Sequence, residues 1–237
     1  MKPHGELLLL RVGGAFDPRR EICDNAIDDT ANGHIDCDDP DCHDSLICRD
    51  DEAKQLELFV MSGCPYGVAA ENAMKEVLAA FQDDDIRFRV RYIIKREHND
   101  SDLTSAHGAW ELEEDIRQLC AASQAPKRAL DYIWCRNKNV RDTDGWKRCA
   151  TTARLDIDAL TPCVSGEEGQ TLAGAEAKLS ASLKITASPT FLANNRFDFH
   201  ALSPRAIQQA FCKRNPSLKG CIMKLSEKTS SDMGVCR

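Results

Sequence analysis

Three features of the chain predict an α/β fold that starts as a β-α-β unit, is interrupted once by helices, and closes with a hairpin and a helix. An apolar strand at 56–62 runs into a helical pattern starting at a proline, and an alternating strand follows at 86–94. The stretch 100–183 has helical spacing throughout, and strand character returns only at 189–199. A small module rich in Cys and Asp, residues 21–50, precedes this domain.

The 237 residues suit one sizeable domain and one smaller module. Hydrophobic residues make up 42% of the chain, enough to build a core. No apolar run approaches the ~20 residues of a membrane helix. Residues 1–20 read as a leader or irregular segment. Leu7–Leu10, flanked by Glu6 and Arg11, is a poor signal-peptide core. The net charge of −7 is local: one Glu, eight Asp and no Lys or Arg lie between Glu21 and Cys48, leaving the rest near +2. That distribution excludes a basic nucleic-acid footprint.

Each element has a local reason. Pro65 suits the first turn of a helix, where its missing N–H costs nothing. Val68, Ala69, Ala73, Val77, Leu78 and Phe81 then fall at helical spacing. Glu71 and Lys75, one turn apart, are expected to form a surface ion pair. After the turn at Asp83–Asp85, Ile86–Ile94 alternates as a half-buried strand. Amphipathic stretches at about 110–123, 127–137, 146–153 and 167–183 are separated by Pro126, Gly145, Pro162 and Gly166, which predicts a helical insertion with no strand. Pro189–Ala193 and Arg196–Phe199 form a hairpin across Asn194-Asn195, residues that tolerate a left-handed backbone. The last helix, 203–212, has Ser203 as cap and Pro204 at its first position. Residues 213–237 form a Cys-containing tail.

Twelve cysteines, about 5% of the chain, show no Cys-x-x-Cys pairs and irregular spacing, which favours disulfides and an oxidising compartment over zinc. The expected location is extracytoplasmic: periplasmic, secreted or surface. Cys23, Cys37, Cys42 and Cys48 are enough for two bridges in the acidic module. Cys120, Cys135, Cys149 and Cys163 are enough for two in the insertion, and Cys212 with Cys221 makes a local pair. Cys64 and Cys236 are left over, and Cys236 is expected to be free or to act as a distant resolving partner. Spacing does not fix the connectivity.

Cys64 carries the chemistry. It ends a strand and opens a helix in Cys64-Pro65-Tyr66-Gly67, and the free N–H groups and positive dipole end of a helix N-terminus favour thiolate over thiol. About 125 positions on, Ser188-Pro189-Thr190 stands immediately before a strand. This pairing resembles the active site of the DsbA-like branch of the thioredoxin superfamily over residues 55–212, with the helical insertion at about 100–183. The resemblance implies a thioredoxin fold, with Cys64 as nucleophile, Pro189 as a cis-proline beside it, and Ser188 and Thr190 positioning substrate. Pro65 and Tyr66 then form part of the site wall. The usual second cysteine is replaced by Gly67, so release of a mixed disulfide needs an external thiol or a distant cysteine.

Ser105-Ala106-His107-Gly108-Ala109-Trp110-Glu111-Leu112 is also similar to the Cys-Gln-His-Gly-x-x-Glu-Cys signature of gamma-interferon-inducible lysosomal thiol reductases. His107, Gly108 and Glu111 match it, while Ser105 and Leu112 stand at its cysteine positions and Ala106 at its glutamine. His107 is therefore an auxiliary acid–base candidate, against its plainer reading as a cap or turn residue.

In the acidic module, Asp28, Thr30, Asn32, Asp36 and Asp39 can be laid on a calcium loop, with Gly33 at the turn position. The wider Cys/Asp pattern resembles short repeats of secreted and surface proteins of deltaproteobacteria. Hard oxygen donors suit Ca²⁺; the plainer reading is an acidic spacer tied by disulfides. The redox chemistry calls for no cofactor. The expected function is thiol–disulfide exchange, of reductase or isomerase type, on disulfide-containing proteins or small thiols. Gly67 keeps open a second class, a non-catalytic binding protein whose groove at Pro189 holds a partner strand.

Overall fold

The computed structural model describes residues 20–43, 45–97, 102–229 and Cys236. The leader at 1–20 lies outside these except for Arg20. The chain divides into two compact units, residues 1–48 and 49–237.

The larger unit is built on a four-stranded sheet of order β2-β1-β5-β6: β1 Gln55–Val60, β2 Arg87–Tyr92, β5 Thr190–Ala193 and β6 Phe197–Phe199. β1 and β2 are parallel, with Leu58 opposite Val90. β1 and β5 are antiparallel, with Leu58 opposite Phe191, and β5 and β6 form the hairpin. Asn194 and Asn195 turn it at φ of 51° and 68°, the left-handed region that asparagine tolerates better than most residues.

β1 is central and buried along nearly its whole length, as its unbroken apolar run requires. Against the sheet pack α1 (Pro65–Ala80) and α7 (Pro204–Cys212), where Phe81 and Phe211 meet edge to face at 5.6 Å between ring centroids. The Ser203 hydroxyl caps α7 by accepting the Ala206 N–H at 3.2 Å.

The insertion holds α2 (Ala109–Gln124), α3 (Pro126–Arg136), α4 (Gly145–Thr152), α5 (Ile157–Ser165) and α6 (Glu167–Ser182). Two details depart from the sequence reading. Pro162 does not end a helix but sits inside α5, whose start is fixed by Asp156 accepting the Asp158 and Ala159 N–H groups. A two-residue ladder, β3 Lys95–Arg96 with β4 Leu103–Thr104, opens the insertion where no strand was expected; it is too short to leave a periodic signal. Cys120–Cys163 ties α2 to α5, and Cys135–Cys149 ties α3 to α4. Between them, the buried Glu114 carboxylate binds Arg117 (2.8 Å), Arg136 (3.0 Å) and the Gln118 amide (3.0 Å), and Gln118 accepts the Tyr92 hydroxyl at 2.6 Å. A buried charge held in this way needs every one of its partners.

The expected surface ion pair at Glu71 is not formed. Glu71 is only 2% exposed, and its carboxylate accepts the Asn137 amide at 2.8 Å. Lys75 instead lies 5.2 Å above the Trp134 ring. Helix α3 covers this face of α1, which spacing along α1 alone does not reveal.

Beyond α7, Cys212 bonds to Cys221, and Asp84 accepts the Lys219 and Gly220 N–H groups at 2.7 Å each. Glu76 of α1 then holds Ser226 through its N–H (2.6 Å) and hydroxyl (2.7 Å).

In the smaller unit, Cys23–Cys42 and Cys37–Cys48 cross-link a chain that has no α-helix or β-strand among the described residues. Glu21, buried, accepts the N–H groups of Asp29, Thr30 and Asp36. Among the described residues no helix is long and apolar enough to cross a membrane.

Candidate active site

Cys64 stands at the N-cap of α1. Its carbonyl accepts the Val68 N–H at 3.0 Å and its own N–H donates to Met61 O at 3.0 Å, which turns the strand sharply into the helix. Pro65 is the first residue of α1 and exposed, while Tyr66 is half-buried against the core. The Cys64 side chain is fully buried, with its Sγ 3.5 Å from the carbonyl oxygen of Ser188. The Ser188–Pro189 peptide is cis. Thr190 turns its hydroxyl back onto Ala187 O at 2.6 Å. These residues, distant in sequence, form one locus.

Cys236 completes it. No described cysteine is free, and Cys64 is bonded to Cys236 with 6.0 Å between their Cα atoms. The same residue pairs with Ser188 as an isolated antiparallel bridge: Ser188 N–H to Cys236 O and Cys236 N–H to Ser188 O, both 2.8 Å. Cys236, expected to be free or to act as a distant resolving partner, is not free but bonded to Cys64.

Gly67 has a physical reason at the position of the absent cysteine. A Cβ built there would lie 2.7 Å from Ser188 Oγ and 3.1 Å from Met61 O. That Oγ is itself committed, accepting the Met61 N–H at 3.0 Å. A side chain at 67 therefore requires the Ser188 hydroxyl to shift from its place against Met61.

Two buried carboxyls grip the turn before Cys64. Glu111 Oε1 accepts the Gly63 N–H at 2.7 Å, and Asp115 Oδ1 accepts the Ser62 N–H at 3.3 Å. His107 is drawn to the same group: its N–H donates to Glu111 Oε2 and its Nδ1 lies beside Oε1, both at 2.8 Å. Gly108, at φ +100°, allows the turn that starts α2. The three matched signature positions, His107, Gly108 and Glu111, are thus the ones that brace the active-site turn. Ser105, at a signature cysteine position, donates to Asp115 at 2.7 Å. Burial, reinforced by the nearby Glu111, holds the Asp115 carboxyl well above the usual carboxylate range. The sequence reading did not single out Asp115, because its role depends on which face of α2 turns inward. Nor did it find His200, whose Nδ1 lies 2.7 Å from Pro189 O.

In the smaller unit hydrogen bonds link four of the five candidate residues, although the Asn32 oxygen itself accepts the His34 N–H at 2.8 Å. The Thr30 hydroxyl reaches Asp28 (3.4 Å) and Asp39 (3.1 Å), and the Asn32 amide reaches Asp39 at 2.8 Å. Asp36 turns away and accepts the N–H groups of Asn25 and Ala26, because its left-handed backbone at φ 51° points its side chain elsewhere. Hydrogen bonds, chiefly from the Gly33 N–H to Asp28 and from the Asp41 N–H to Asp39, hold both carboxyls below the ordinary range. Among the described residues no group of three or more His, Cys, Asp or Glu side chains is placed to hold a metal ion.

Comparison with known proteins agrees with this geometry. Residues 55–153 match the family model of gamma interferon inducible lysosomal thiol reductase. Curated sequences offer no match. Among solved structures, a putative protein disulfide isomerase from Nitrosomonas europaea superposes with a TM-score of 0.53 at 9% identity, covering 68% of this chain and 97% of that one. A probable DsbA oxidoreductase from Streptomyces coelicolor gives 0.51 at 16%, covering 77% and 98%. The reduced DsbG of Mycobacterium tuberculosis gives 0.51 at 12%, covering 70% and 80%. The fold is DsbA-like, as in these oxidoreductases, and residues 55–153 are similar to the lysosomal thiol reductases.

Proposed function

We propose that this DsbA-like thioredoxin-fold chain is a thiol–disulfide oxidoreductase of reductase or isomerase type, with Cys64 as nucleophile and Cys236 as its resolving partner. The observation that carries the reading is a cysteine at a helix N-terminus, bonded to a distant cysteine that also pairs with the loop before Pro189. In the reduced protein the N–H groups and dipole of α1 favour the Cys64 thiolate.

That thiolate attacks one sulfur of a substrate disulfide. The substrate S–S bond breaks, one substrate thiolate leaves, and a mixed disulfide joins Cys64 to the other half. The Cys236 thiolate then attacks Cys64 Sγ, forming the Cys64–Cys236 bond and releasing the second substrate thiolate. The substrate gains two electrons and the protein loses two, which an external thiol restores. Ser188, Pro189 and Thr190 position the substrate, Pro65 and Tyr66 wall the site, and His107 with Glu111 fixes the turn. The substrates are disulfide-containing proteins or small disulfides. Six disulfides fit an oxidising, extracytoplasmic setting, in the periplasm, at the surface or secreted.

Reduction of insulin by dithiothreitol, followed by turbidity, tests this. C64S should fall to the rate of dithiothreitol alone. C236S should turn over more slowly at low thiol and accumulate a mixed disulfide. A C64S protein as fast as the wild type would remove the proposal.

For the acidic unit we propose a Ca²⁺ ligand held by Asp28, Thr30, Asn32 and Asp39. The hydrogen bonds that gather Thr30, Asn32 and the Asp28 and Asp39 carboxylates into one cluster support it, and an ion there would take the Asn32 amide through its oxygen, which accepts the His34 N–H at 2.8 Å. With two carboxylates the affinity should be in the ~10⁻⁴–10⁻³ M range of extracellular modules. Calorimetric titration should show it, and Asp28→Ala should abolish it; no heat in that range retires the ligand.

A further inference from the structure

We infer that Cys236 is a tethered stand-in for the cysteine of a substrate strand, so that substrate entry requires it to leave Ser188 and its return expels the product. The inference rests on the exchange reaction proposed above and concerns how the docking position is shared. Two contacts hold Cys236, and they are chemically independent. One is the bond to Cys64; the other is the reciprocal main-chain pair with Ser188, at 2.8 Å in both directions. The second does not involve sulfur.

Ser188 has a single N–H, and Cys236 O occupies it. A polypeptide that presented its own cysteine to Cys64 as an added strand would need that same N–H, because Cys64 Sγ lies against Ser188 O. The tail and such a substrate therefore exclude one another. The arrangement of Cys64, Cys236 and Ser188 is what a mixed disulfide with an extended peptide would adopt, with the protein's own chain in the peptide's place.

The tether makes the competition strong. Ser226 is fixed to α1 by Glu76, and its carbonyl accepts the Arg205 N–H at 3.0 Å. Cys236 follows ten positions later, a span of at most ~35 Å. A segment so tethered acts at an effective concentration of about millimolar.

In the catalytic sequence the substrate strand displaces Cys236 from Ser188 and its disulfide is opened by the Cys64 thiolate. The Cys236 thiolate then attacks Cys64 Sγ, the bond from Cys64 to the substrate breaks, and the substrate sulfur leaves as thiolate. As the new bond forms, Cys236 regains the Ser188 N–H and carbonyl, and the substrate loses both its covalent and its main-chain hold in one event.

Two variants separate the strand from the thiol. C236S removes the sulfur but keeps the N–H and carbonyl that pair with Ser188. C236P removes the sulfur and the N–H together. The probe is a fluorescein-labelled synthetic copy of residues 229–237 with alanine at the cysteine position, which cannot form a disulfide. Its binding to each variant is measured by anisotropy.

C236P should bind this peptide at least about tenfold more tightly than C236S, whose own tail holds the position at the tethered concentration. Equal affinities for the two variants, or no binding to either, would overturn the inference. Because the probe has no sulfur, this result stands apart from the insulin assay: a wild-type protein that reduces insulin no faster than dithiothreitol alone, together with a C236P-specific gain in binding, would sink the proposed activity and leave the tethered strand in place.

Discussion

The two units hold their shape by opposite means. In the larger, apolar side chains of β1, α1 and α7 close a core around Leu58, Met74, Phe191 and Phe211, and the buried Glu114 is surrounded by partners. In the smaller, three isoleucines, Ile22, Ile27 and Ile35, stay exposed, and order comes from two disulfides and from carboxylates that accept backbone N–H groups. A chain segment that cannot bury apolar area must be cross-linked or charge-capped to fold. The larger unit has a core, so its shape does not rest on any one of its disulfides.

The largest expected effect breaks that contrast directly. Cys42→Ser opens a loop of 19 residues in the smaller unit and should cost it about 3 kcal/mol, enough to unfold a unit without a core. Hydrogen exchange should show residues 21–48 losing protection while β1 and β2 keep theirs. Protection retained in both would mean that the carboxylate network suffices alone.

A second effect sharpens the contrast through pH. Burial pushes the Glu71 carboxyl up to about 8, against the ordinary 4.5 that the unfolded chain recovers. A raised folded value means that the native state holds a proton the unfolded chain has released. The stabilisation is therefore complete below about pH 4.5 and is lost as pH rises through about 8. Glu71→Gln should flatten this fall, gaining on the order of 2–4 kcal/mol relative to wild type at pH 8.5. Urea unfolding at pH 5 and pH 8.5 measures it, and a pH dependence unchanged by the variant would refute the buried proton. The smaller unit, whose carboxyls Asp28 and Asp39 lie below the ordinary range, should instead loosen as acid protonates them.

The smallest effect lies at the active-site helix. Gly67→Ala would ordinarily favour a helix by about 1 kcal/mol, yet its Cβ meets Ser188 Oγ at 2.7 Å, so a net loss of about 1–2 kcal/mol is expected. Gly67→Ala with Ser188→Ala should recover part of it, giving non-additive melting temperatures. Additive losses would show that the contact is not the cause.

What could be read in the sequence was local. The strand of Leu56–Met61, the cysteine after it, the proline-started helix, the Asn194-Asn195 hairpin and the Ser203 cap all carry their reasons in neighbouring residues. So does Ser188-Pro189-Thr190 as a loop before a strand. The pattern failed where the deciding partner was remote. Glu71 looked like a surface residue because α3, which covers it, lies more than fifty positions away. Asp115 looked like one acidic residue among several until α2 turned it toward Ser62. Asp36 fitted a calcium loop by spacing, but its backbone turned it to Asn25 and Ala26.

The amino-acid order by itself determined that Cys64 opens a helix, that no vicinal cysteine stands beside it, and that Cys64 and Cys236 are the two cysteines left over from the local groups. Only the tertiary structure decided that these two bond to each other, and which of the three possible connectivities each group of four cysteines adopts. The reason is geometric. A disulfide requires two Cα atoms within roughly 7 Å, and spacing along the chain does not encode that approach. Packing supplied it, by fixing Ser226 against α1 and bringing Cys236 onto Ser188.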